Sequence, residues 1–224
     1  MKFSRAPAPH VKPPRTVGQV MRHVLYALVP ATAAHAWFFG FGIVLNMLTA
    51  VVFALALEAL VLRWRGRPVT TALGDYSAVV TAVLLAFALP PLTPWWVTAI
   101  GITFAIVFAK HLYGGLGHNP FNPAMAGYVV LLVAFPGYMA QWPAAAMPEA
   151  GVAAPALGTT LSVFLTGEVP QLLNVDGVSG ATPLDRLQTG LSQMMTMGEM
   201  HADATMSGLG GHGWTLINLA VALG

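Results

Sequence analysis

The chain has 224 residues, of which 56% are apolar and 8% carry a formal charge, whereas about 25% of residues are charged in an ordinary soluble domain. This composition excludes a water-soluble globule and predicts an integral membrane protein. The absence of cysteine excludes disulfides and thiolate-bound metal or iron–sulfur centres on this chain. With ten basic and eight acidic residues, the net charge is too small to indicate nucleic-acid binding.

Five apolar segments long enough to cross a bilayer follow a basic, proline-rich tail at residues 1–23. The first of them continues beyond the hydrophobic region of a cleaved signal peptide, and a spanning helix needs about 20 apolar residues. The predicted spans within residues 24–142 are Val24–Gly40, Phe41–Leu62, Leu73–Leu89, Trp95–Tyr113 and Pro123–Trp142. The predicted fold class is therefore an all-α integral membrane protein, built as a multi-span helical bundle.

A long polar loop at residues 143–213 follows the fifth span, and a further apolar segment begins at Trp214. We expect residues 214–224 to be the start of a sixth transmembrane helix in a truncated chain; the alternative is a segment that only enters the bilayer. Arg186 is the one basic residue of the ten that lies in the long loop. Because basic residues concentrate on the cytoplasmic side of a membrane, we expect a cytoplasmic tail and a periplasmic loop in a bacterial inner membrane.

Two carboxylates, Glu58 and Asp75, lie within or beside the predicted spans. A charged side chain in the bilayer costs several kcal/mol, which makes such residues functional candidates by default. Both are therefore candidates for an ion pathway. The alternative is that they pair with the nearby arginines, which are Arg63, Arg65 and Arg67, or extend to the membrane surface.

Methionine and histidine provide weaker candidates. One part of the long loop contains Met194, Met195, Met197, Met200, His201 and Met206. Thioethers with a histidine suit Cu(I), but methionine more commonly makes adaptable contact surfaces, so we expect a surface for partner docking and no metal site.

We expect His35 to be a satisfied core histidine, and His111 and His118 to contact backbone rather than metal.

The string GGLGHNPFNPAM, at residues 114–125, separates the fourth and fifth spans. Its glycines are suited to end a helix, and Asn122 followed by Pro123 is a typical helix start, with the asparagine as cap and the proline in the first turn. Breaks of this composition at membrane depth usually line a cavity or mark a discontinuous helix. A simple tight turn is the alternative.

The long loop contains the sequence SGATPLD at residues 179–185. By local chemistry alone, Thr182 is a helix cap, Pro183 the first helical residue and Asp185 an acidic residue of the first turn. A threonine hydroxyl can also be esterified by a phosphate, and the small residues Gly180 and Ala181 leave the backbone accessible. The two interpretations are compatible, because the start of a helix binds anions.

Two motifs carry a resemblance that covers nearly the whole chain. SGAT resembles the S/T-G-A-T sequence at which FMN is joined through its phosphate to a threonine in two related membrane proteins. These are the B subunit of the Na+-translocating NADH:quinone reductase and the D subunit of the Rnf complex. The string at residues 114–125 is similar to the G-G-x-G-x-N-P-F-N-P-A-M segment of Rnf D subunits, and residues 75–91 resemble the third span of this family. Asn119, Pro120 and Phe121 within this string, together with the short N-terminal tail, favour the Rnf D subunit.

The resemblance implies a membrane subunit of an ion-translocating ferredoxin:NAD+ oxidoreductase, which relays electrons coupled to Na+ or H+ transport. It implies FMN bound covalently to Thr182, with the rest of the cofactor site formed by Ser179, Gly180, Ala181 and Asp185. It also implies one half of an inverted repeat similar to that of urea transporters, and a second, non-covalent flavin that no motif here locates. The implied partners are the other membrane, iron–sulfur and flavoprotein subunits of the complex.

Three alternatives stay open. Within the family, the chain could be the B subunit of the quinone reductase, which would also need a quinone site. The broken helix between the fourth and fifth spans is equally typical of a flavin-free channel or transporter for small solutes. A membrane scaffold without a redox role is the third alternative.

Overall fold

The computed structural model describes residues 15–143, 145–146, 153–168, 183–196, 198–199 and 212–223. These residues form helices and contain no β-strand, which confirms the all-α fold class. The helices are α1 Val17–Phe39, α2 Gly42–Trp64, α3 Val69–Leu73, α4 Ser77–Ala88, α5 Trp95–Thr103, α6 Pro123–Ala134, α7 Pro136–Met139, α8 Leu157–Thr166, α9 Pro183–Ser192 and α10 His212–Leu223. A π-helical segment, Phe104–His111, continues α5 without a break.

Helix α1 begins earlier than the predicted start at Val24, because a capping box lies upstream of the apolar run. The Thr16 hydroxyl accepts a hydrogen bond from the backbone N–H of Gln19 at 3.3 Å, and the Gln19 side chain accepts one from the N–H of Thr16 at 3.1 Å. Such reciprocal bonds satisfy two N–H groups that have no partner within the helix. The end of the predicted tail at residue 23 therefore falls inside a helix.

The structure places a helix at each of the five predicted spans, but their lengths differ. Among the described residues, α2 is the one helix whose length and mean hydropathy, 2.2, suffice for a bilayer crossing. Helices α4 and α6 have 12 residues each, or about 18 Å at 1.5 Å per residue, against a hydrocarbon core of about 30 Å. Pro90 follows the end of α4, and Pro136 interrupts the predicted fifth span after Phe135. The urea-transporter-like repeat stays a prediction.

Small residues bring the central helices close together. The core contains Ala50 and Ala54 of α2 against Ala78 and Ala82 of α4, and small side chains allow membrane helices to pack tightly. The start of α2 touches the loop after α4 so closely that a Cβ atom added to Gly42 would overlap the Pro91 carbonyl. The central helices therefore tolerate little added volume.

Large apolar side chains cover part of the outer surface. Trp37 of α1 is 75% exposed, Val52 of α2 is 65% exposed, and Val133 of α6 is 78% exposed. Soluble monomers rarely expose large contiguous apolar patches, whereas side chains that face lipid are apolar. Together with the composition, this surface agrees with a helical membrane protein.

Candidate functional site

The π-helical segment brings two basic side chains to one place. Its wider turn is defined by bonds such as that from the Leu112 N–H to the Val107 carbonyl, at 3.0 Å, five residues back. Lys110 and His111, adjacent in sequence, both reach Glu58 of α2. π-Helical turns are rare and occur frequently at functional sites.

Glu58 is the centre of a buried ion cluster. The Lys110 Nζ atom donates a hydrogen bond to Glu58 Oε1 at 2.8 Å, and the two side chains are each 3% exposed. His111 Nε2 lies 2.9 Å from Glu58 Oε2. A buried carboxylate is costly unless it is paired, and here two basic side chains face it.

Ser77 and Asp75 extend the cluster to the start of α4. Lys110 Nζ also donates to Ser77 Oγ at 2.8 Å, and Ser77 Oγ in turn donates to Asp75 Oδ1 at 2.6 Å. The backbone N–H of Ser77 donates to the same Asp75 oxygen at 2.7 Å. The structure thus joins Asp75 and Glu58, the two carboxylates predicted from the sequence, through Ser77 and Lys110. We call Asp75, Ser77, Lys110, Glu58 and His111 the buried cluster.

The partners of Glu58 correct two expectations. Lys110, not an arginine, makes the hydrogen bond to Glu58; it lies near the end of the predicted span Trp95–Tyr113. His111 contacts Glu58 rather than backbone. A lone lysine within a predicted span is itself an expensive charge, and this signal in the sequence could have identified Lys110.

A strained turn holds Asp75 in place. Tyr76 has φ 60° and ψ 7°, a left-handed conformation that is uncommon outside glycine. The Arg22 guanidinium lies 5.7 Å from the centre of the Tyr76 ring, and a Cβ added to Gly18 would meet the Gly74 carbonyl at 2.9 Å. Helix α1 therefore packs against this turn and supports its backbone conformation. Strain of this kind persists where surrounding contacts determine the backbone, which is common at functional sites.

A cavity of about 240 Å³ adjoins the cluster. Its lining includes Ser77 and Lys110 together with Asn119, Asn122 and Pro123 of the string between the fourth and fifth spans. Part of the string thus lines a cavity, as expected, although most of residues 116–122 are exposed. The Asn122 side chain caps α6 as expected, since its Oδ1 atom accepts the Ala124 N–H at 2.9 Å.

The two remaining histidines have different environments. His118 Nδ1 lies 3.4 Å from the Leu116 carbonyl oxygen, a backbone contact of the kind expected. His35 is buried among Phe39, Phe87 and Trp142, with ring centres 4.9, 5.9 and 6.2 Å away. It belongs to the core, as expected, and among the described residues neither ring nitrogen has a hydrogen-bond partner. The Phe87 ring lies nearly perpendicular to the His35 ring, at 89°.

The predicted flavin motif is only partly within the described residues. Residues 179–182, including Thr182 and Ser179, lie outside them. Helix α9 begins at Pro183, as the sequence predicts, and it contains Asp185. Of the methionine group, Met194 and Met195 are described and exposed; the others, Met197, Met200, His201 and Met206, lie outside the described residues.

Comparison with known proteins gives one consistent result. The sequence model of the family described as "NQR2, RnfD, RnfE family" matches residues 4–224. A protein of Aeromonas hydrophila, named as the D subunit of an ion-translocating oxidoreductase complex, is 47% identical, over 99% of this chain and 65% of its own. Proteins of the same name from Vibrio cholerae and Alcanivorax borkumensis are 46% and 47% identical, over 100% of this chain and 66% and 63% of theirs. The chain thus spans just under two thirds of the length of these relatives.

Proposed function

The chain belongs to the NQR2, RnfD, RnfE family, and from this membership we propose that it is the D subunit of an ion-translocating ferredoxin:NAD+ oxidoreductase of the Rnf type. Relatives that bear the name of this subunit match essentially the whole chain. In this role the chain is a multi-pass protein of the bacterial inner membrane. Its partners are the other membrane, iron–sulfur and flavoprotein subunits of the complex.

We propose that Thr182 carries FMN as a phosphoester, in a loop that faces the periplasm. The observation that supports this site is the position of α9, which begins at Pro183, directly after Thr182, and has 10 residues. A phosphate on Thr182 would lie at the start of this helix, where free N–H groups and the helix dipole favour negative charge. Bound FMN supplies the electron-transfer chemistry, and the chain supplies binding, orientation and electrostatic environment. A second, non-covalent flavin is part of the proposal, without assigned residues.

The role of the remaining site residues follows from the position of Thr182. Gly180 and Ala181 keep the backbone accessible around the ester, and Ser179 provides the nearest alternative hydroxyl. Asp185 lies in the first turn of α9, where an acidic residue favours helix formation in the absence of a phosphate.

We place the ion pathway at the buried cluster, because Glu58 and Asp75 are joined there by Lys110 and Ser77.

Flavin fluorescence in a denaturing gel tests the proposal. The native chain should fluoresce, because a covalent flavin survives denaturation, and Thr182→Val should lose the signal, because valine has nearly the same shape but no hydroxyl. Thr189→Val, at an exposed threonine of α9 outside the motif, is the matched control and should keep it. Peptide mass spectrometry then locates the modification. A Thr182 peptide at its unmodified mass, from cells with a working complex, would exclude the site; a modified Ser179 would move it.

A flavin-free channel or transporter is the second candidate, and the cavity beside Asn119 and Asn122 is the observation that favours it. This candidate predicts uptake of a small solute into vesicles and no flavin on the native chain. The denaturing gel therefore separates the two functions in one experiment.

A further inference from the structure

We propose that Lys110 is a tethered counter-ion whose ammonium group occupies a binding site for a small monovalent cation. The site is formed by Glu58 Oε1 and Ser77 Oγ, each 2.8 Å from Lys110 Nζ. The cation binds when the lysine withdraws, so the lysine and the cation compete for the same two oxygens. The physiological meaning of this competition, control of cation entry to the pathway, rests on the proposed translocating function.

The orientation of Ser77 carries the argument. Its hydroxyl hydrogen is donated to Asp75 Oδ1 at 2.6 Å, so the lone pairs of Ser77 Oγ face Lys110. An oxygen fixed in this way can accept an ammonium hydrogen or coordinate a metal cation, but it cannot donate a hydrogen bond to a solute at that position. Asp75 is itself fixed, because it also accepts the Ser77 N–H at 2.7 Å. The two oxygens are therefore oriented for a positive charge before it arrives.

Charge balance determines which cation fits. Lys110 contributes one positive charge against the buried Glu58 carboxylate, and both side chains are 3% exposed. In the part of the chain that the structure describes, the other titratable groups in contact with the cluster are His111, which faces Glu58 Oε2, and Asp75, which is half-buried behind Ser77. At these two oxygens a monovalent ion takes the place of the ammonium charge for charge, whereas a divalent ion would place a second positive charge there, which is costly in this environment. Na+ is the probe that matches this chemistry and the oxygen ligands.

The cavity beside the cluster can accommodate the Lys110 side chain when it leaves the two oxygens. Lys110 lines the 240 Å³ cavity, whose wall also contains Asn119 and Asn122. Amide oxygens of these asparagines are acceptors for an ammonium group. Lys110 also belongs to the π-helical segment, and such segments often mark functional sites within helices. The cavity therefore supplies both the space and the acceptors for a second position of the side chain.

The experiment measures how Na+ affects the unfolding of Lys110 variants. The full chain is purified in detergent, and Na+ is exchanged for choline at constant ionic strength. Lys110→Gln keeps a donor for Glu58 but removes the tethered charge, so Na+ should stabilise it; a rise to about ten times the Na+ dissociation constant raises the folding equilibrium constant roughly tenfold. The native chain and Lys110→Arg, which keep a tethered cation, should respond much less. Lys110→Met, with no polar group at the end of the side chain, should respond like Lys110→Gln.

A double variant distinguishes site binding from a general effect of salt. Glu58→Gln combined with Lys110→Gln has neither the carboxylate nor the ammonium, so it should not respond to Na+. Equal responses of the native chain, Lys110→Gln and Lys110→Met, or no response in any of them, would overturn the proposal. So would an undiminished response of the double variant. None of these measurements needs flavin or electron transfer, and the mass of the Thr182 peptide tests the proposed function separately.

Discussion

Loss of the Glu58 carboxylate should destabilise the fold more than any other single loss of charge in the buried cluster. Glu58→Gln keeps the volume but removes the charge that balances Lys110, which is 2% exposed. The ammonium would then retain Ser77 Oγ as an acceptor, at 2.8 Å, but no full negative charge beside it. Removing one partner of a buried pair typically costs about 3–5 kcal/mol. Asp75→Asn should cost less, about 1–3 kcal/mol, because Asp75 is half-buried and chiefly accepts hydrogen bonds from Ser77.

A double-variant cycle shows whether the cost comes from the unpaired charge. Glu58→Gln with Lys110→Met removes both charges, and the replacement of a buried pair by neutral groups is often close to neutral in stability. The double variant should therefore be more stable than Glu58→Gln alone, and its loss should fall below the sum of the single losses by at least about 3 kcal/mol, the lower cost of breaking a buried pair. Glu168→Gln alters an exposed carboxylate and serves as the control, with no expected change.

The assay is reversible unfolding in mixed micelles with an increasing fraction of denaturing detergent. It gives the free energy of unfolding of each variant relative to the native chain. The reasoning would be refuted if Glu58→Gln were within about 1 kcal/mol of the native chain, a value that fits a surface pair rather than a buried one. Additive losses in the double variant would refute the pairing itself.

Three further predictions concern packing, capping and topology. Gly42→Ala should cost about 1–3 kcal/mol through overlap with the Pro91 carbonyl. Gly158→Ala, whose added Cβ has no atom of a described residue within 4 Å, should be neutral or slightly stabilising in the same unfolding assay. Asn122→Ala removes the cap of α6 and should cost about 1 kcal/mol; no loss there would indicate that the cap is dispensable. A reporter active only in the periplasm should be active when fused near Pro155 and inactive near Gly66, and the reverse pattern would invert the topology.

The helices are predictable because their signals are local. Apolar runs and proline or glycine boundaries predict a helix in each of the five spans, and Asn122 with Pro123 marks the start of α6 at the correct residue. A boundary based on charge misplaces the start of α1, because the capping box of Thr16 and Gln19 lies within the basic tail. The break after Phe135 is not predicted, because a proline within an apolar run occurs both at breaks and in continuous spanning helices.

The buried cluster is predictable only in part, since its contacts are distant in sequence. An isolated carboxylate in an apolar segment identifies Glu58 and Asp75, but Lys110 is 52 residues from Glu58 and 33 from Ser77. Local composition does not distinguish a π-helical turn from an α-helical one, so the segment Phe104–His111 has no signature. The geometry of the cluster arises from this turn together with the strained backbone at Tyr76, and both are products of tertiary packing.

The two short helices explain why the cluster and the cavity lie together. Helices α4 and α6 have 12 residues each, too few to cross the hydrocarbon core, so an end of each must lie at depth or the chain must turn there. Both begin at the wall of the same cavity, α4 at Ser77 and α6 at Pro123. Irregular backbone at membrane depth is tolerated where it lines a cavity, and the start of a helix has positive polarity. This positive polarity at Ser77 helps to fix the Asp75 carboxylate, which orients the serine hydroxyl, and the serine in turn presents its lone pairs to Lys110. Because α4 is short, its positively polarised start lies beside the buried cluster. The length of α4 therefore affects the electrostatic field at the site as well as its shape.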